Sequence, residues 1–293
     1  MPKAQFTPLP HRAIVRVNGD DRTAFLQNLV SNDMTRVQGG AAVWAALLTP
    51  QGKFLHEFFA VAHHDAVLLE CERARRDDLV TRLSRYKLRA KVSLVADDTL
   101  SVGVAWGEDA SSILKTSDTP GHVVPHGAGV LYTDPRLVQA GVRFALEAGQ
   151  FKGLGLTEAT PEAFEAWRIG LGLPDGSRDM EVDKALLLEN GFEELRGVDF
   201  DKGCYIGQEL TARTHYRALI KKRLMPVSID GPAPVTGTPL QAADGSEAGE
   251  MKSAAGGKGL ALVRLDKLSG EITAGSARIT AKPPAWMKLP ERD

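Results

Sequence analysis

Apolar and polar positions alternate through "AIVRV", residues 13–17, and mark a strand; "NGDD" then turns the chain. Phe25, Leu26, Leu29 and Val30 follow at helical spacing behind the acidic cap Asp20/Asp21, so the pattern reads strand, turn, helix. "AVWAALL" and "FLHEFFAVA" flank the Pro/Gly turn "TPQGK" and predict a β-hairpin, with "AVLLEC" as a further strand. Helical spacing returns from Arg73 to Tyr86 through Leu79 and Leu83, and "KVSLV" follows as a strand. Residues 111–129, "SSILKTSDTPGHVVPHGAG", have no period and predict an irregular connection between strands. "PEAFEAWRIGLG" predicts a helix with Pro161 at its opening, where the missing N–H costs nothing.

From about Ile220 the pattern changes. Short β-like runs such as "LMPVSI", "GLALVRL" and "ARITA" are separated by Gly, Pro and Asp turns without a convincing helix, which predicts a small antiparallel barrel or sandwich. The expected division is therefore residues 1–220 and 221–293, with no internal repeat.

Composition narrows the function classes. The 293 residues are 43% hydrophobic, enough for a sizeable core in one large domain or two ordinary ones. With 36 Lys+Arg against 37 Asp+Glu, no global field selects nucleic acid or a membrane surface, so an anion site has to be local. No stretch approaches the roughly 18 apolar residues of a membrane span. The opening "MPKAQFTPLPHR" has neither an apolar signal core nor an arginine-rich amphipathic pattern, and the expected compartment is the cytoplasm. Cys71 and Cys204 are the only cysteines, too few for a disulfide framework or for a cluster held by this chain's thiolates alone.

One of those cysteines sits in "DKGCYIGQELTAR", residues 201–213. A thiol acts as nucleophile or ligand only as thiolate, and Lys202 together with the start of a helix in "CYIGQELTAR" would lower its pKa. A small buried cysteine packed beside Tyr205 and Ile206 would need no such chemistry, and the residues alone leave both readings open. Glu209 and Arg213, four apart, have the spacing of a helical ion pair. Between Leu210 and Ile229 no acid interrupts Arg213, Arg217, Lys221, Lys222 and Arg223, and His215 and Tyr216 add flat rings. That run suits phosphate or carboxylate groups, as in RNA or a poly-acidic cofactor tail, or else a solvated face. A second basic run, Arg73 to Lys91, fits the wet side of a helix. "GGKG" at 256–259 lacks the Ser or Thr of a phosphate-binding loop, and Pro125 between His122 and His126 argues against a shared metal face.

The stretch "RGVDFDKGCYIGQELTARTHYRALIKKRLMPV", residues 196–227, resembles the signature of YgfZ-type proteins, a branch of the aminomethyltransferase (GcvT) superfamily, in its mitochondrial-type subgroup and bacterial relatives. "DRTAFLQNLVSNDM", "ALLTPQGKFLHEFF", "YKLRAKV", "WRIGLGLP" and "LENGFEEL" are similar to that pattern in the same order. The resemblance implies an α+β fold, a ring of subdomains around a central folate-binding hole, with a small C-terminal antiparallel β-barrel. It implies work in the maturation or repair of [4Fe–4S] proteins through Cys204 and Lys202, supported by Gly203, Tyr205, Gly207, Gln208, Glu209 and Arg213. It places Ser31, Asn32, Asp33 and Arg168 near tetrahydrofolate. With one motif cysteine, Cys204 would ligate iron or a cluster only transiently, shared with an assembly protein or client enzyme. The other activity the resemblance admits is folate-dependent C1 transfer, while a role in tRNA or other RNA binding or modification rests on the charge of the run from Arg213 to Arg223 alone. Two departures count against aminomethyl transfer: His56 and Glu57 occupy the position of an acidic pair, and Gly170 replaces the glutamate that holds the pterin.

Overall fold

The computed structural model describes residues 2–217 and 220–289. Strands β1 (Gln5–Pro8) and β2 (Arg12–Asn18) lead into helices α1 (Arg22–Gln27) and α2 (Thr35–Gln38). The hairpin β3 (Val43–Leu48) and β4 (Phe54–His63) follows, then β5 (Ala66–Glu72), helix α3 (Arg76–Arg85) and β6 (Ser93–Asp97). These strands make a five-stranded sheet in the order β3-β4-β5-β2-β6. Because successive strand residues face opposite ways, Val15, Val17, Phe58 and Leu69 pack beneath α1 and α3, while Ile14, Trp44, Phe59 and Leu68 face the rest of the molecule. Both faces are covered, which is why β3 is buried at every position.

The second sheet takes β7 (Ser101–Trp106), then, after helix α4 (Ala110–Ile113), β8 (Val123–His126), β9 (Gly129–Thr133), β10 (Val142–Leu146) and β11 (Thr157–Glu158). With β1 its order is β11-β1-β7-β10-β9-β8. The expected irregular connection at 111–129 thus holds a strand, β8. It lies at the sheet's edge, where Pro125 removes no ladder bond, and proline with no visible period hid it from the pattern. "KVSLV" pairs as a strand only from Ser93, because the backbone N–H of Lys91 donates to Asp21 at 2.7 Å instead.

Helix α5 (Pro161–Leu171) has the expected opening, with Thr160 accepting from Ala163 N–H and Pro161 at the first turn. Gly172, at φ +80°, ends it. Helix α6 (Gln208–Tyr216) precedes the barrel, built from β12 (Lys222–Asp230), β13 (Pro239–Ala242), β14 (Glu247–Ala255), β15 (Lys258–Arg264), β16 (Ile272–Ala274) and β17 (Ala277–Ala281). It closes in the order β12-β15-β14-β13-β16-β17 around Met225, Val227, Met251, Val263 and Ile279. The residues of "GGKG" turn from β14 into β15, with Gly256 and Gly257 both at positive φ. The expected division near 220 adjoins residues 218 and 219, outside the described residues, as do 290–293.

Candidate functional site

The two sheets meet face to face, and charged side chains are sealed into their interface. Glu70 on β5 accepts from Arg12 Nε at 3.2 Å, from Arg143 Nε at 3.1 Å and from the Tyr132 hydroxyl. Arg12 also donates to Glu57 and, at 3.2 Å, to Asp175. Trp44 Nε1 donates to the other oxygen of Glu57 at 2.7 Å, and Arg136 pairs with Asp134 at 2.8 Å. The guanidinium groups of Arg12, Arg136 and Arg143 lie over the Phe59 ring at 5.7, 4.8 and 4.2 Å. Glu70 stays ionised despite full burial, because Arg143 and Arg12 hold its pKa below the usual carboxylate value. Each charge here answers another, which leaves none of them facing a ligand.

A second construction lies where residues 196–207 cross residues 27–33. Ser31 Oγ donates to the carbonyl of Gly197 at 2.6 Å, and Asn32 Nδ2 donates to those of Arg196 and Trp44 at 2.7 Å each. Asp199 N–H returns a bond to Ser31 O at 3.0 Å. Lys202 completes the clasp: its Nζ donates to the carbonyls of Gln27, Val30 and Asn32, each at 2.7 Å. Burial pulls the pKa of Lys202 down to about 8, with Asp33 and Asp199 favouring the charge. Gly197 admits the clasp, since a Cβ there would come within 2.5 Å of Phe192 and 2.7 Å of Trp44, which stack at 3.8 Å.

The far side of the loop is fixed by a second contact. Gly207, at φ +80°, sits against the hairpin turn so closely that a Cβ would meet Thr49 O at 2.3 Å. Gln208 Oε1 accepts from Tyr205 N–H at 3.0 Å, and burial pushes the Tyr205 phenol up to about 12. Between these anchors the Cys204 thiol is exposed. Phe200 stacks on His215 at 4.1 Å on one side, and Tyr216 is 76% exposed on α6. Cys71 is the opposite case, buried in the sheet with its thiol pushed up to about 12.

Residues 221–289 match the family model described as the CAF17 C-terminal β-barrel domain. The chain is 32% identical over 311 residues to the iron–sulfur cluster assembly factor IBA57, mitochondrial, of Mus musculus, covering 95% of this chain and 84% of that protein. It is 32% identical over 305 residues to the Homo sapiens protein of the same description, again covering 95% and 84%. The chain belongs to the IBA57 family of iron–sulfur cluster assembly factors. In fold, this IBA57 relative is similar to the glycine cleavage system aminomethyltransferase T of Bartonella henselae, with a TM-score of 0.76, 13% identity and coverage of 97% and 86% of the two chains. That likeness establishes the aminomethyltransferase-like architecture.

Family and geometry together correct several expectations. The matched IBA57 proteins are described as mitochondrial, which points to mitochondria rather than the cytoplasm. Few cysteines indicate a reducing environment, and that property does not separate the two compartments. Lys202 does not donate a hydrogen bond to Cys204, because all three of its N–H donors are engaged by carbonyls. Cys204 is not in the first turn of a helix either: α6 starts at Gln208, after Gly207 at φ +80° breaks the helical path. Gly203 adopts φ +93° with open space around it, a turn requirement. Glu209 and Arg213 are exposed, and no ion pair joins them.

The residues expected near tetrahydrofolate are engaged within the protein in this IBA57-family chain. Ser31 and Asn32 are buried in the clasp, and Asp33 caps Thr35 at 2.9 Å. Arg168, 3% exposed, donates to Glu165 and Asp179 and reaches Ser253 of the barrel at 3.2 Å. A Cβ on Gly170 would stand 3.3 Å from Lys258 Nζ, so that position faces the barrel. His56 and Glu57 project from opposite faces of β4, His56 towards Asp78 at 2.9 Å and Glu57 into the buried cluster, and are not a pair. The basic run divides as well: Arg223 is buried against Glu194 and Lys222 pairs with Glu247, while Arg213, Arg217 and Lys221 remain exposed. The sequence reading missed Gln27, whose side chain accepts from Met34 N–H and donates to Lys202 O, and Gly52, which faces Gly207. Only the glycine in the "TPQGK" turn left a signal for the second of these.

Proposed function

We propose that this chain serves the maturation of iron–sulfur proteins by presenting Cys204 to a partner protein, as one thiolate ligand of iron or a cluster in passage between the two. The observation that carries this reading is the Cys204 loop itself: an exposed thiol on a segment fixed from one side by Lys202 and from the other by Gly207. A rigid loop presents a ligand in one geometry and loses little entropy when a partner closes the coordination sphere. Among the described residues no group of three His, Cys, Asp or Glu could hold a metal ion, so the remaining ligands come from the partner, an assembly protein or a client enzyme. Binding metal displaces the thiol proton, and an exposed thiol can lose it to water.

Folate-dependent C1 transfer is disfavoured by the engagement of Arg168, Ser31 and Asn32 in bonds within the protein. An RNA-binding role is disfavoured by the division of the basic run. The test is complementation of a strain lacking the gene. Cys71→Ser is expected to restore aconitase and other [4Fe–4S] enzyme activities, and Cys204→Ser to leave them low with their protein levels unchanged. Full restoration by Cys204→Ser would remove the thiol from the function.

A further inference from the structure

We propose that the loop of residues 85–91 and the free edge of β6 form a docking site for an acidic, extended segment of a partner protein, separate from the Cys204 loop and independent of its role. Helix α3 ends at Arg85, and the chain turns outward to Leu88, which is 90% exposed at φ +41°. A leucine at positive φ crowds its Cβ against the backbone, and here no burial offsets that strain. The base of the loop holds it in place. Lys91 N–H donates to Asp21 at 2.7 Å, and Gly19 lies so close to Lys91 O that a Cβ would come within 2.0 Å. Tyr86, Leu88 and Val95 are three of the seven large hydrophobic residues that stand exposed among the described residues, and they fall within ten positions of one another along the chain.

Charge identifies the partner. In the first half of the basic run every arginine meets a carboxylate: Arg73 and Arg76 meet Asp98, and Arg75 and Arg82 meet Asp78. In the second half Arg85, Lys87, Arg89 and Lys91 are exposed, and none of their side chains pairs with an acid among the described residues. Next to them β6 bonds to β2 on one side only, leaving its other backbone edge open. An open strand edge is a template for an added strand, and natural proteins usually block one that serves no purpose. Backbone pairing and the apolar contacts of Leu88 and Val95 suit a peptide, whereas RNA or a phospholipid headgroup would use the cations alone.

The test uses the full chain and a fluorescent synthetic peptide alternating Glu with Val. Saturable binding that weakens with salt is expected, with slowed amide hydrogen exchange across Ser93 to Asp97 at saturation. Lys87→Glu with Arg89→Glu, and separately Leu88→Asp, should each weaken binding by about tenfold or more. Leu88→Gly, which relieves the strain, should weaken it without lowering the melting temperature, and Cys204→Ser should bind like the wild type. The proposal is overturned if the peptide does not saturate, if β6 is not protected, or if the loop variants bind normally. It is equally overturned if polyuridylate or phosphatidylserine vesicles bind more tightly and displace the peptide.

Discussion

Between the two sheets, Glu70 accepts from Arg12, Arg143 and Tyr132, and each of those donors is itself buried; at the Cys204 loop, the thiol, Glu209 and Arg213 face solvent and no ion pair joins the last two. The same kinds of side chain are thus closed upon one another in one region and left open in the other. A buried charge that is already paired cannot turn to a ligand without stranding its partner, which costs several kcal/mol. Such a centre stabilises one arrangement of the sheets and offers no group free to move a proton. The exposed thiol of the loop contributes little to stability and remains accessible. In this aminomethyltransferase-like fold the charges between the sheets are engaged with one another, and the exposed thiol of Cys204 lies outside them.

The sharpest way to break this contrast is Glu70→Gln. The amide leaves Arg12 and Arg143 buried without their counter-charge, and a loss of about 3–5 kcal/mol is expected, read from the urea midpoint. A loss below about 1 kcal/mol would mean that water or rearrangement relaxes the centre, and the contrast with the loop would fade. Next in size is the acid limb of stability, which probes the outer face of β4. His56 is buried, and its pKa is lowered to about 4 by burial and by Arg75. Below about 6.5 the unfolded chain binds a proton that the fold refuses until about 4, so stability falls as pH drops through that window, by up to about 3 kcal/mol. His56→Gln should flatten the stability profile between those pH values and leave the Glu70 effect unchanged.

What the sequence made legible follows the range over which each feature is determined. The β3–β4 hairpin and α5 were readable because a period, a turn and a cap lie within a dozen residues of one another. β8 was not, since its pairing with β9 outweighs a proline that reads as a breaker. At the site, the motif around Cys204 stood out, but the partners of its neighbours did not. Lys202 finds its acceptors at Gln27, Val30 and Asn32, at the other end of the domain, and no local pattern connects them. The bonds of Ser31 and Asn32 were hidden for the same reason. Their partners at Arg196 and Gly197 appear only when the chain has folded, and then thiol motif and folate segment prove to be two halves of one clasp.

A smaller effect should come from opening that clasp. Lys202→Met keeps the aliphatic stem and leaves three carbonyls without their donor, at an expected cost of about 1–3 kcal/mol. Because the loop then loses one anchor, [4Fe–4S] enzyme activities in the complemented strain should fall although the thiol is intact. Gly207→Ala, which forces a Cβ against Thr49 O, should do the same from the other side. Should either variant lose stability yet keep full function, the thiol would not depend on a rigid loop.

The smallest stability effect belongs to Cys204 itself, and there the two regions separate most clearly. Sulfur and oxygen are close in size, Cys204 is exposed and no buried contact is removed, so Cys204→Ser should change stability by less than about 0.5 kcal/mol. Iodoacetamide should alkylate one thiol per native molecule and a second only after unfolding, because Cys71 is buried in the sheet. In Cys204→Ser the native molecule should take up none. If the native wild type labelled neither thiol, Cys204 would be covered and unable to meet a partner's cluster. If it labelled both, the core of the five-stranded sheet would be opening far more often than its packing allows, and the closed half of the comparison would fail together with the open one.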